Sequence, residues 1–531
     1  MTARRIGGAS CHPLVVDVPP ELESRSSRVE RLVASPFDAL VVGGGITGAG
    51  VALDLACRGL AVALVERGDW GGETSSASSR LLHGGLRYLE QYDFGLVRES
   101  CLERSLLMRN AAGLAWPESF TFPLFRGGRV GRLKLAAGLA LYSLLSLPHP
   151  LGVPRVVGAA AARRAIPGVA DGIVGAGRYQ DGATIDSRLV WATVRTAMER
   201  GAVCASRVEV AKLEHAGATK DDGVEAELTD VLTGTSIGRV RARRVVLCGG
   251  PFTEELRARA GLGGKWLSPT RGTHAVLPRH RLPTDGAVVF TSPLDGRVMF
   301  LLPWPAHTVI GTTDVDSTLA DRGTPTPDEV RYLVDSANAL VPAAKLEVAD
   351  VVSTWSGVRP LLAAPESDPS ARSREERVVH EGSVTTIAGG KLTAYRGMAE
   401  TLGSELCRRA GIGDGRRASP TRSVRLVGAL DRAVSEPDWV RRQPDAAGLR
   451  RAALVRRHGR FADAVASAEG SDRPIDDETT FADVLEAIRR EDALEPADVL
   501  LRRTDLGYTR PDLARELEDE IRATIAAERP G

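Results

Sequence analysis

Cysteines and long apolar runs are both scarce in this chain, and each scarcity excludes a class of protein. The 531 residues include six cysteines and 5% aromatic residues. The cysteines form no C-x-x-C pair and have no histidine at zinc-ligand spacing, so we expect free thiols, a reducing compartment and no metal. No apolar run reaches the roughly 20 residues of a transmembrane helix.

An excess of either charge is also absent, because Lys and Arg number 69 and Asp and Glu number 68. Nucleic acid is therefore not an expected partner. Hydrophobic residues make up 43% and charged residues 26%, as in a soluble globular protein. At this length, two or three domains are expected.

The first 36 residues carry basic side chains, among them Arg4 and Arg5, without the apolar segment of a signal peptide. We interpret residues 1–36 as a flexible N-terminal tail that is disordered or loosely docked. An export signal is disfavoured, because Gly7 and Gly8 stand where its apolar region should begin.

From Phe37 the chain has the pattern of a strand, a glycine turn, a helix and a second strand. The turn contains Gly43, Gly45 and Gly48 in the spacing G-x-G-x-x-G, and Glu66 ends the second strand. Such glycines permit a tight turn, close approach of a pyrophosphate and close packing of the helix, while the acidic residue can accept ribose hydroxyls. The sequence therefore predicts a dinucleotide-binding βαβ unit.

Strands and helices continue to alternate up to about residue 415, and glycine turns follow two further strands. We expect these turns to converge on one cofactor. Residues 273–315 have β character, and the chain becomes helical and charged after residue 415. The predicted elements are strands over 208–213, 224–228 and 244–247, a strand and turn over 384–390, and helices over 187–200 and 394–410.

The segment TSSASSRLLHGGLRYLE, residues 74–90, resembles the signature of the FAD-dependent glycerol-3-phosphate dehydrogenase family, within the amino-acid-oxidase-like flavoproteins. Blocks at 311–314, 356–361 and 389–396 also resemble this family and follow its order. The resemblance runs from Phe37 through the helical C-terminal region. It implies FAD as the cofactor.

The implied fold class is α/β: a Rossmann-type FAD-binding domain interleaved with a mixed β-sheet substrate domain, plus a small C-terminal all-α domain. We place the FAD-binding and substrate domains in residues 37–415, with the substrate parts at about 126–180 and 265–350. The C-terminal helical domain takes residues 416–531.

The resemblance also implies which residues contact FAD, namely those of the glycine turns, the hydroxyl-rich segment and the ends of strands. They are Gly43, Gly45, Gly48, Glu66, Thr74, Ser75, Ser76, Val208, Gly249, Gly250, Gly390, Lys391, Leu392 and Thr393.

Cationic side chains are implied to bind the substrate, glycerol 3-phosphate. Arg87 and Arg374 are assigned to its phosphate, which suits the planar guanidinium fork. Arg359 and Lys391 are implied to lie near the reacting carbon and the flavin, where positive charge favours an anionic reduced flavin. Tyr88 is either a substrate contact or a packing residue.

Oxidation of a secondary alcohol requires a base for the hydroxyl proton. His274 is the first candidate, because histidine titrates near neutral pH. Lys391 with a lowered pKa is the second, and Arg359 is the third because guanidinium scarcely deprotonates. His83 is expected to be a structural or flavin-side contact.

Two segments depart from the family pattern. Residues 247–252 read LCGGPF where the family has Asn-Ala-Thr-Gly, and Ser187 follows Asp186 where the family has paired aspartates. The first departure affects a loop that contacts FAD, and the second lies near the substrate domain, so the exact substrate stays open.

We expect hydride transfer from sn-glycerol 3-phosphate to flavin, with dihydroxyacetone phosphate as product and a membrane quinone as electron acceptor. An oxidase that uses oxygen, a sister flavoenzyme acting on another 2-hydroxy or amino acid, and a flavin-binding membrane sensor without turnover are the alternatives. The sequence leaves the oligomeric state open.

Residues 126–151 combine a basic start with a Leu-rich continuation that is too short to span a bilayer. One interpretation is a helix on a membrane surface, with its cations at the head groups. The other is a buried helix with a solvated start. The first predicts a cytoplasmic protein peripheral to the inner face of the cell membrane. The cations are Arg126, Arg129, Arg132 and Lys134.

Overall fold

The computed structural model describes residues 19–217, 219, 222–319, 323–363, 376–411, 419–431 and 446–529. Arg374 and the first 18 residues of the predicted tail lie outside these ranges, as does the side chain of Arg87.

Fourteen α-helices and eighteen strands are formed by the described residues. The helices are α1 Arg25–Ala34, α2 Ile46–Cys57, α3 Phe94–Asn110, α4 Arg132–Leu145, α5 Ala159–Ala165, α6 Asp186–Glu199, α7 Thr253–Arg259, α8 Pro327–Leu340, α9 Tyr395–Ala410, α10 Ala446–His458, α11 Ala462–Ala466, α12 Phe481–Arg490, α13 Leu506–Thr509 and α14 Pro511–Glu528. The strands are β1 Phe37–Val42, β2 Val62–Glu66, β3 Leu81–Leu82, β4 Ala115–Phe125, β5 Arg155–Gly158, β6 Ile173–Thr184, β7 Val203–Ser206, β8 Val208–His215, β9 Val224–Asp230, β10 Ser236–Leu247, β11 Thr270–Pro278, β12 Ala287–Thr291, β13 Val298–Pro303, β14 His307–Gly311, β15 Val315–Asp316, β16 Ser353–Arg359, β17 Glu376–Glu381 and β18 Val384–Gly389.

The first sheet has eight strands, and its centre is parallel in the order β18-β10-β1-β2-β7. Continuous apolar runs form these strands because both faces of the parallel sheet are buried, one of them against α1 and the antiparallel strands β8 and β9. On one face α2, α6 and α9 pack against the sheet in a shared apolar core. The carboxyl ends of parallel strands lie at the same edge, so the turns after β1, β10 and β18 converge as predicted.

The second sheet has ten strands and is mostly antiparallel, with β4 and β12 paired in parallel. Its strand β11 is hydrogen-bonded to both β14 and β16. In this register His274 faces Gly311 on one side and Trp355 on the other, and Thr270 faces Arg359. The sheet therefore places the predicted base and one predicted cation on adjacent strands.

The prediction of a flexible tail is wrong for residues 25–34, which form α1. Ser24 caps this helix by accepting a hydrogen bond from the Ser27 N–H. Arg28 is buried and forms an ion pair with Asp492, 2.6 Å between Nη2 and Oδ1. A buried partner 464 residues away anchors the segment, and no local pattern could reveal that partner.

The C-terminal helices pack around a small apolar core of their own, formed by residues of α12, α13 and α14. Buried ion pairs connect them to the rest of the chain. Arg503 makes two hydrogen bonds of 2.8 Å to Asp69, and Arg188 of α6 pairs with Glu491. Ser187, which differs from the family pattern, donates a hydrogen bond to the Arg502 carbonyl at 2.9 Å. This position therefore lies at the contact between α6 and the C-terminal helices.

Candidate active site

A cavity of about 840 Å³ lies at the carboxyl edge of the first sheet and extends to the second sheet. Most of the residues assigned to FAD or to catalysis line it. They are Gly43, Gly45, Glu66, Thr74, Ser75, Val208, Gly249, Gly250, His274, Arg359, Gly390, Lys391, Leu392 and Thr393. Gly48, Ser76 and Tyr88 are not among the lining residues.

The glycine turn after β1 needs its glycines for two different reasons. Gly43 adopts φ +111°, and a Cβ there would collide with the carbonyl of Cys248. A Cβ at Gly48 would collide with the Gly43 carbonyl, so Gly48 permits close packing of α2 rather than contact with a ligand. Gly45 is the N-cap residue of α2 and lies on the cavity wall. Because the N-cap residue has no side chain, a pyrophosphate can approach the backbone N–H groups at the N-terminus of this helix.

Glu66 is held by two backbone N–H groups at the end of β2. Its Oε2 accepts from Gly44 and its Oε1 accepts from Gly68, both at 2.6 Å. Burial raises the pKa of the Glu66 carboxyl, and the two hydrogen bonds oppose that rise. The carboxylate is thus fixed at the cavity wall, where the predicted contact with ribose hydroxyls requires it.

The hydroxyl-rich segment after β2 is held through its own side chains. Ser75 Oγ accepts from the Ile46 N–H at 3.1 Å, and Thr74 Oγ1 donates to the Val358 carbonyl at 2.7 Å. Ser76 is buried and donates to the Glu73 carbonyl at 3.2 Å, which gives it a structural role. Together with the glycine turn and Glu66, these residues fit an adenine dinucleotide.

His274 is buried on β11, and its Nε2 lies 2.8 Å from Ser79 Oγ. Its ring stacks on Trp355 with a centroid distance of 4.7 Å. Gly311 leaves room for the ring, because a Cβ there would collide with it. Burial lowers the pKa of His274 to about 3, and the charges of Arg359 and Arg80 add to this effect. The imidazole is therefore neutral and able to accept a proton.

Arg359 ends β16, and its guanidinium contacts the loop after β14. Nη1 donates to Asp314 Oδ1 at 2.9 Å, and Nη2 donates to Thr312 Oγ1 at 3.0 Å and to the Thr313 carbonyl at 3.1 Å. A Cβ at Gly272 would collide with this guanidinium. The glycine and the loop therefore fix the cation at the cavity wall.

Lys391 follows the turn after β18, and its Nζ lies 4.2 Å from the ring centroid of Tyr88. Tyr88 is buried and supports the ammonium group from outside the cavity lining. Gly390 has φ +87°, and Thr393 Oγ1 donates to the His83 carbonyl at 3.3 Å. His83 itself lines the cavity.

Sequence reasoning gave no individual role to Ser79, although it lies within the block quoted for the resemblance. It also missed apolar residues of the cavity wall, among them Phe122, Leu89, Tyr92 and Leu141. Aromatic and leucine residues at these positions have no distinctive spacing in sequence. Their association appears once α3, α4 and the 3-10 helix of residues 86–91 are assembled.

The surface of α4 has both a buried and an exposed apolar side. Leu135, Leu139 and Tyr142 are buried, whereas Leu133 is 87% and Leu144 is 59% exposed. Two of the nearby cations, Arg129 and Lys134, contact the Glu90 carboxylate at 2.8 and 3.0 Å. Tyr92, at the cavity wall, is 79% exposed. The aromatic ring of Tyr92 thus belongs both to the cavity wall and to the exposed surface.

Within the described ranges, no helix has the length and hydropathy of a membrane span. Among the same residues, no group of histidine, cysteine and acidic side chains has the arrangement of a metal site.

Two family models match this chain. Residues 38–396 match the FAD dependent oxidoreductase model, and residues 419–529 match the C-terminal domain of alpha-glycerophosphate oxidase. The aerobic glycerol-3-phosphate dehydrogenase of Staphylococcus epidermidis is 35% identical over 380 residues, which are 70% of this chain and 67% of the relative. The enzyme of the same name from Staphylococcus aureus is 34% identical over 371 residues, 69% of this chain and 66% of the relative.

Solved structures have the same fold. The glycerol-3-phosphate dehydrogenase of Bacillus halodurans complexed with FAD aligns with a TM-score of 0.74 at 25% identity, covering 95% of this chain and 93% of its own. The L-alpha-glycerophosphate oxidase of Mycoplasma pneumoniae with FAD bound aligns with a TM-score of 0.55 at 16% identity, covering 72% of this chain and 98% of its own. The second alignment supports the fold alone.

Proposed function

Because this chain belongs to the family of FAD-dependent glycerol-3-phosphate dehydrogenases and oxidases, we propose that it oxidises sn-glycerol 3-phosphate to dihydroxyacetone phosphate. One observation carries the proposal: His274, Arg359 and Lys391 line the cavity that the glycine turn of the first sheet also lines. A neutral imidazole and two cations beside a dinucleotide site are suited to oxidising an anionic alcohol.

Bound FAD supplies the acceptor for the hydride that leaves C2. His274 takes the proton of the C2 hydroxyl, which it can do because burial keeps its imidazole neutral. A pKa of about 3 makes a weak base, but the negative phosphate of the substrate would favour the imidazolium and so raise that pKa. Arg359 and Lys391 hold positive charge where negative charge develops.

The phosphate group is assigned to Arg87 and Arg374, as the family pattern implies. Each guanidinium group offers paired N–H donors whose spacing matches two phosphate oxygens. An ammonium group does not offer such a pair. Arg87 belongs to the 3-10 helix of residues 86–91, directly before Tyr88, which supports Lys391.

A membrane quinone is the electron acceptor that the surface of the protein supports best. The apolar residues of the cavity wall suit a lipid-soluble molecule, and Tyr92 and Leu133 expose apolar area at the surface. The basic residues before and within α4 would contact anionic head groups at the inner face of the cell membrane. Oxygen is the alternative acceptor, because a small apolar molecule can enter the same cavity.

Anaerobic reduction of the purified yellow protein tests the substrate. Glycerol 3-phosphate should bleach the flavin absorbance, whereas lactate, glycine and 2-hydroxyglutarate should leave it unchanged at equal concentration. Bleaching by another member of the panel would assign the cavity to a different alcohol or amine. No bleaching by any of them would support a flavin-binding sensor.

The acceptor is tested by reoxidising the substrate-reduced protein with a short-chain quinone or with oxygen in rapid mixing. The proposal expects the quinone to react faster at equal concentration. Faster reaction with oxygen, together with release of hydrogen peroxide, would make the protein an oxidase.

A further inference from the structure

His274 lies between the cavity and the C-terminal helices, and aromatic rings connect the two. Its ring stacks on Trp355, which in turn stacks on Trp304 at 5.5 Å and contacts the ring of Tyr508 at 5.2 Å. We call Trp355, Trp304 and Tyr508 the aromatic stack. Ser353, two residues before Trp355, donates its Oγ proton to the Tyr508 carbonyl at 2.5 Å. Tyr508 of α13 therefore contacts β16, and this strand carries the Trp355 ring on which His274 stacks.

Arg80 makes a second connection to the same helices. It directly follows Ser79, whose hydroxyl lies 2.8 Å from His274 Nε2. The Arg80 guanidinium is buried, lies 4.4 Å from the Trp304 ring and makes two hydrogen bonds of 2.8 and 2.7 Å to Asp505. Asp505 is the N-cap residue of α13.

We propose that Asp505 and Tyr508 of the C-terminal helices position the Ser79–His274 pair, acting through Arg80 and the aromatic stack. Arg80 and Asp505 are thus positioning residues for the reaction rather than only residues of the domain joint. The inference rests on the proposed role of His274 as the base.

Geometry explains why this connection matters for proton transfer. A histidine base must present one ring nitrogen at hydrogen-bond distance from the substrate hydroxyl. Ser79 contacts Nε2, and Nδ1 has no hydrogen-bond partner among the described residues, so the Ser79 hydroxyl is the polar contact on which the position and the tautomer of the ring depend. Arg80 has φ +58°, a conformation that few non-glycine residues adopt, and its pair with Asp505 holds it there. Release of Arg80 would release Ser79.

The test replaces Arg80 by Gln and, separately, Asp505 by Asn in the FAD-loaded protein. Both variants should reduce the flavin with glycerol 3-phosphate about 10- to 100-fold more slowly, with little change in the substrate concentration for half-saturation, because a small misplacement of a reacting group has effects of this size. Arg80→Lys keeps the charge beside Asp505 and should recover part of the rate.

A second readout is independent of turnover. The ¹⁵N chemical shifts of the histidine ring report which nitrogen carries the proton, and the His274 signal is identified by its loss in His274→Asn. Native protein should show one tautomer at neutral pH, and Arg80→Gln and Asp505→Asn should show a mixture. Arg28→Gln is the matched control, since it also breaks a buried pair with the C-terminal region, here with Asp492, and neither residue is among the contacts given above for His274, Ser79 and Arg80. It should lower stability and leave both readouts native.

Native rates and a single tautomer in both Arg80→Gln and Asp505→Asn would overturn the proposal, as would equal losses in Arg28→Gln. His274→Asn separates this failure from failure of the proposed function. If His274→Asn reduces flavin at the native rate, His274 is not the base. If it is slow while the Arg80 and Asp505 variants are native, only the positioning is wrong.

Discussion

Arg87 shows how one cation can be tested for a specific substrate group. We predict that Arg87→Ala raises the KM for glycerol 3-phosphate by roughly ten- to a hundredfold, since a charge-assisted hydrogen bond contributes about 1.5–3 kcal/mol. The KM for glycerol, which has no phosphate, should change far less. Steady-state kinetics with both alcohols measure the difference, and equal losses on both would assign Arg87 to the fold or to the flavin.

Gly45 tests the cofactor site at the same scale. A Cβ at this position would lie 3.3 Å from Ser75 Oγ, and the additional methyl groups of valine would project where the pyrophosphate must approach the N-terminus of α2. We predict that purified Gly45→Val is colourless but folded. The ratio of flavin absorbance to protein absorbance measures the loss, and circular dichroism shows whether the fold persists.

Gly138→Ala is a suitable control for that prediction. Gly138 also lines the cavity, but a Cβ there has no neighbour within 4 Å. This variant should retain FAD. A yellow Gly45→Val with native FAD content would contradict the pyrophosphate role of the turn.

Whole strands of the first sheet, and helices that pack on it, could be predicted from sequence because their signals are local. The helix predicted over 187–200 is α6, Asp186–Glu199, and the helix predicted over 394–410 is α9, Tyr395–Ala410. The α/β fold class and FAD as the cofactor are confirmed by the family matches. The convergence of three turns follows from parallel strands alone.

Elements that depend on distant partners could not be predicted in this way. The position of helix α1 depends on the buried pair of Arg28 and Asp492, which are far apart in sequence. The supports of His274 are similar, because Ser79, Trp355 and Tyr508 are far apart in sequence and meet only in the folded chain. Individual functional residues were accessible through the family blocks, whereas their positioning was not. Their assigned roles remain predictions.

Helix α4 carries the prediction of membrane docking. Replacing Arg126, Arg129, Arg132 and Lys134 by glutamine should weaken binding to anionic vesicles and remove the salt dependence of binding. Each cation near the surface contributes about 1 kcal/mol of attraction to anionic head groups. Leu133→Asp should weaken binding at low salt as well, because this 87% exposed side chain would have to leave the apolar layer. Co-sedimentation with vesicles at two salt concentrations separates the two effects.

Two controls accompany this prediction. Flavin reduction by substrate in solution should be native in both variants, since neither changes the substrate or flavin contacts proposed above. Leu294→Asp removes an exposed leucine, 55% exposed, from the loop between β12 and β13 and should bind vesicles like the native protein. Failure of the native protein to co-sediment would rule out docking through α4.

At the scale of the whole molecule, buried charges join the C-terminal helices to the FAD-binding region. Arg188, Glu491, His458 and Asp483 form one such cluster, in which His458 Nε2 lies 3.0 Å from Asp483 Oδ1. Breaking a buried pair by removing one partner leaves a charge uncompensated and is strongly destabilising. The cluster therefore makes domain attachment sensitive to the charge of His458.

We predict that the stability of that attachment depends on pH through His458. Burial opposes a charge on His458, but hydrogen bonds to Asp483 and Glu491 outweigh it and raise the pKa of the imidazole. The folded protein thus binds this proton more tightly than the unfolded chain does. The stabilisation is fully present below the unfolded pKa of about 6.5 and is lost as the pH rises through the raised folded pKa, with a slope of at most about 1.4 kcal/mol per pH unit.

Urea unfolding of native protein and of His458→Gln between pH 6 and 9 measures this pH dependence of the free energy of unfolding. The variant should be less stable at pH 6 and should lack this part of the pH dependence, whereas His149→Gln, which removes an exposed histidine, should behave like native protein. The same pH dependence in His458→Gln and native protein would show that His458 does not hold its proton more tightly in the folded state.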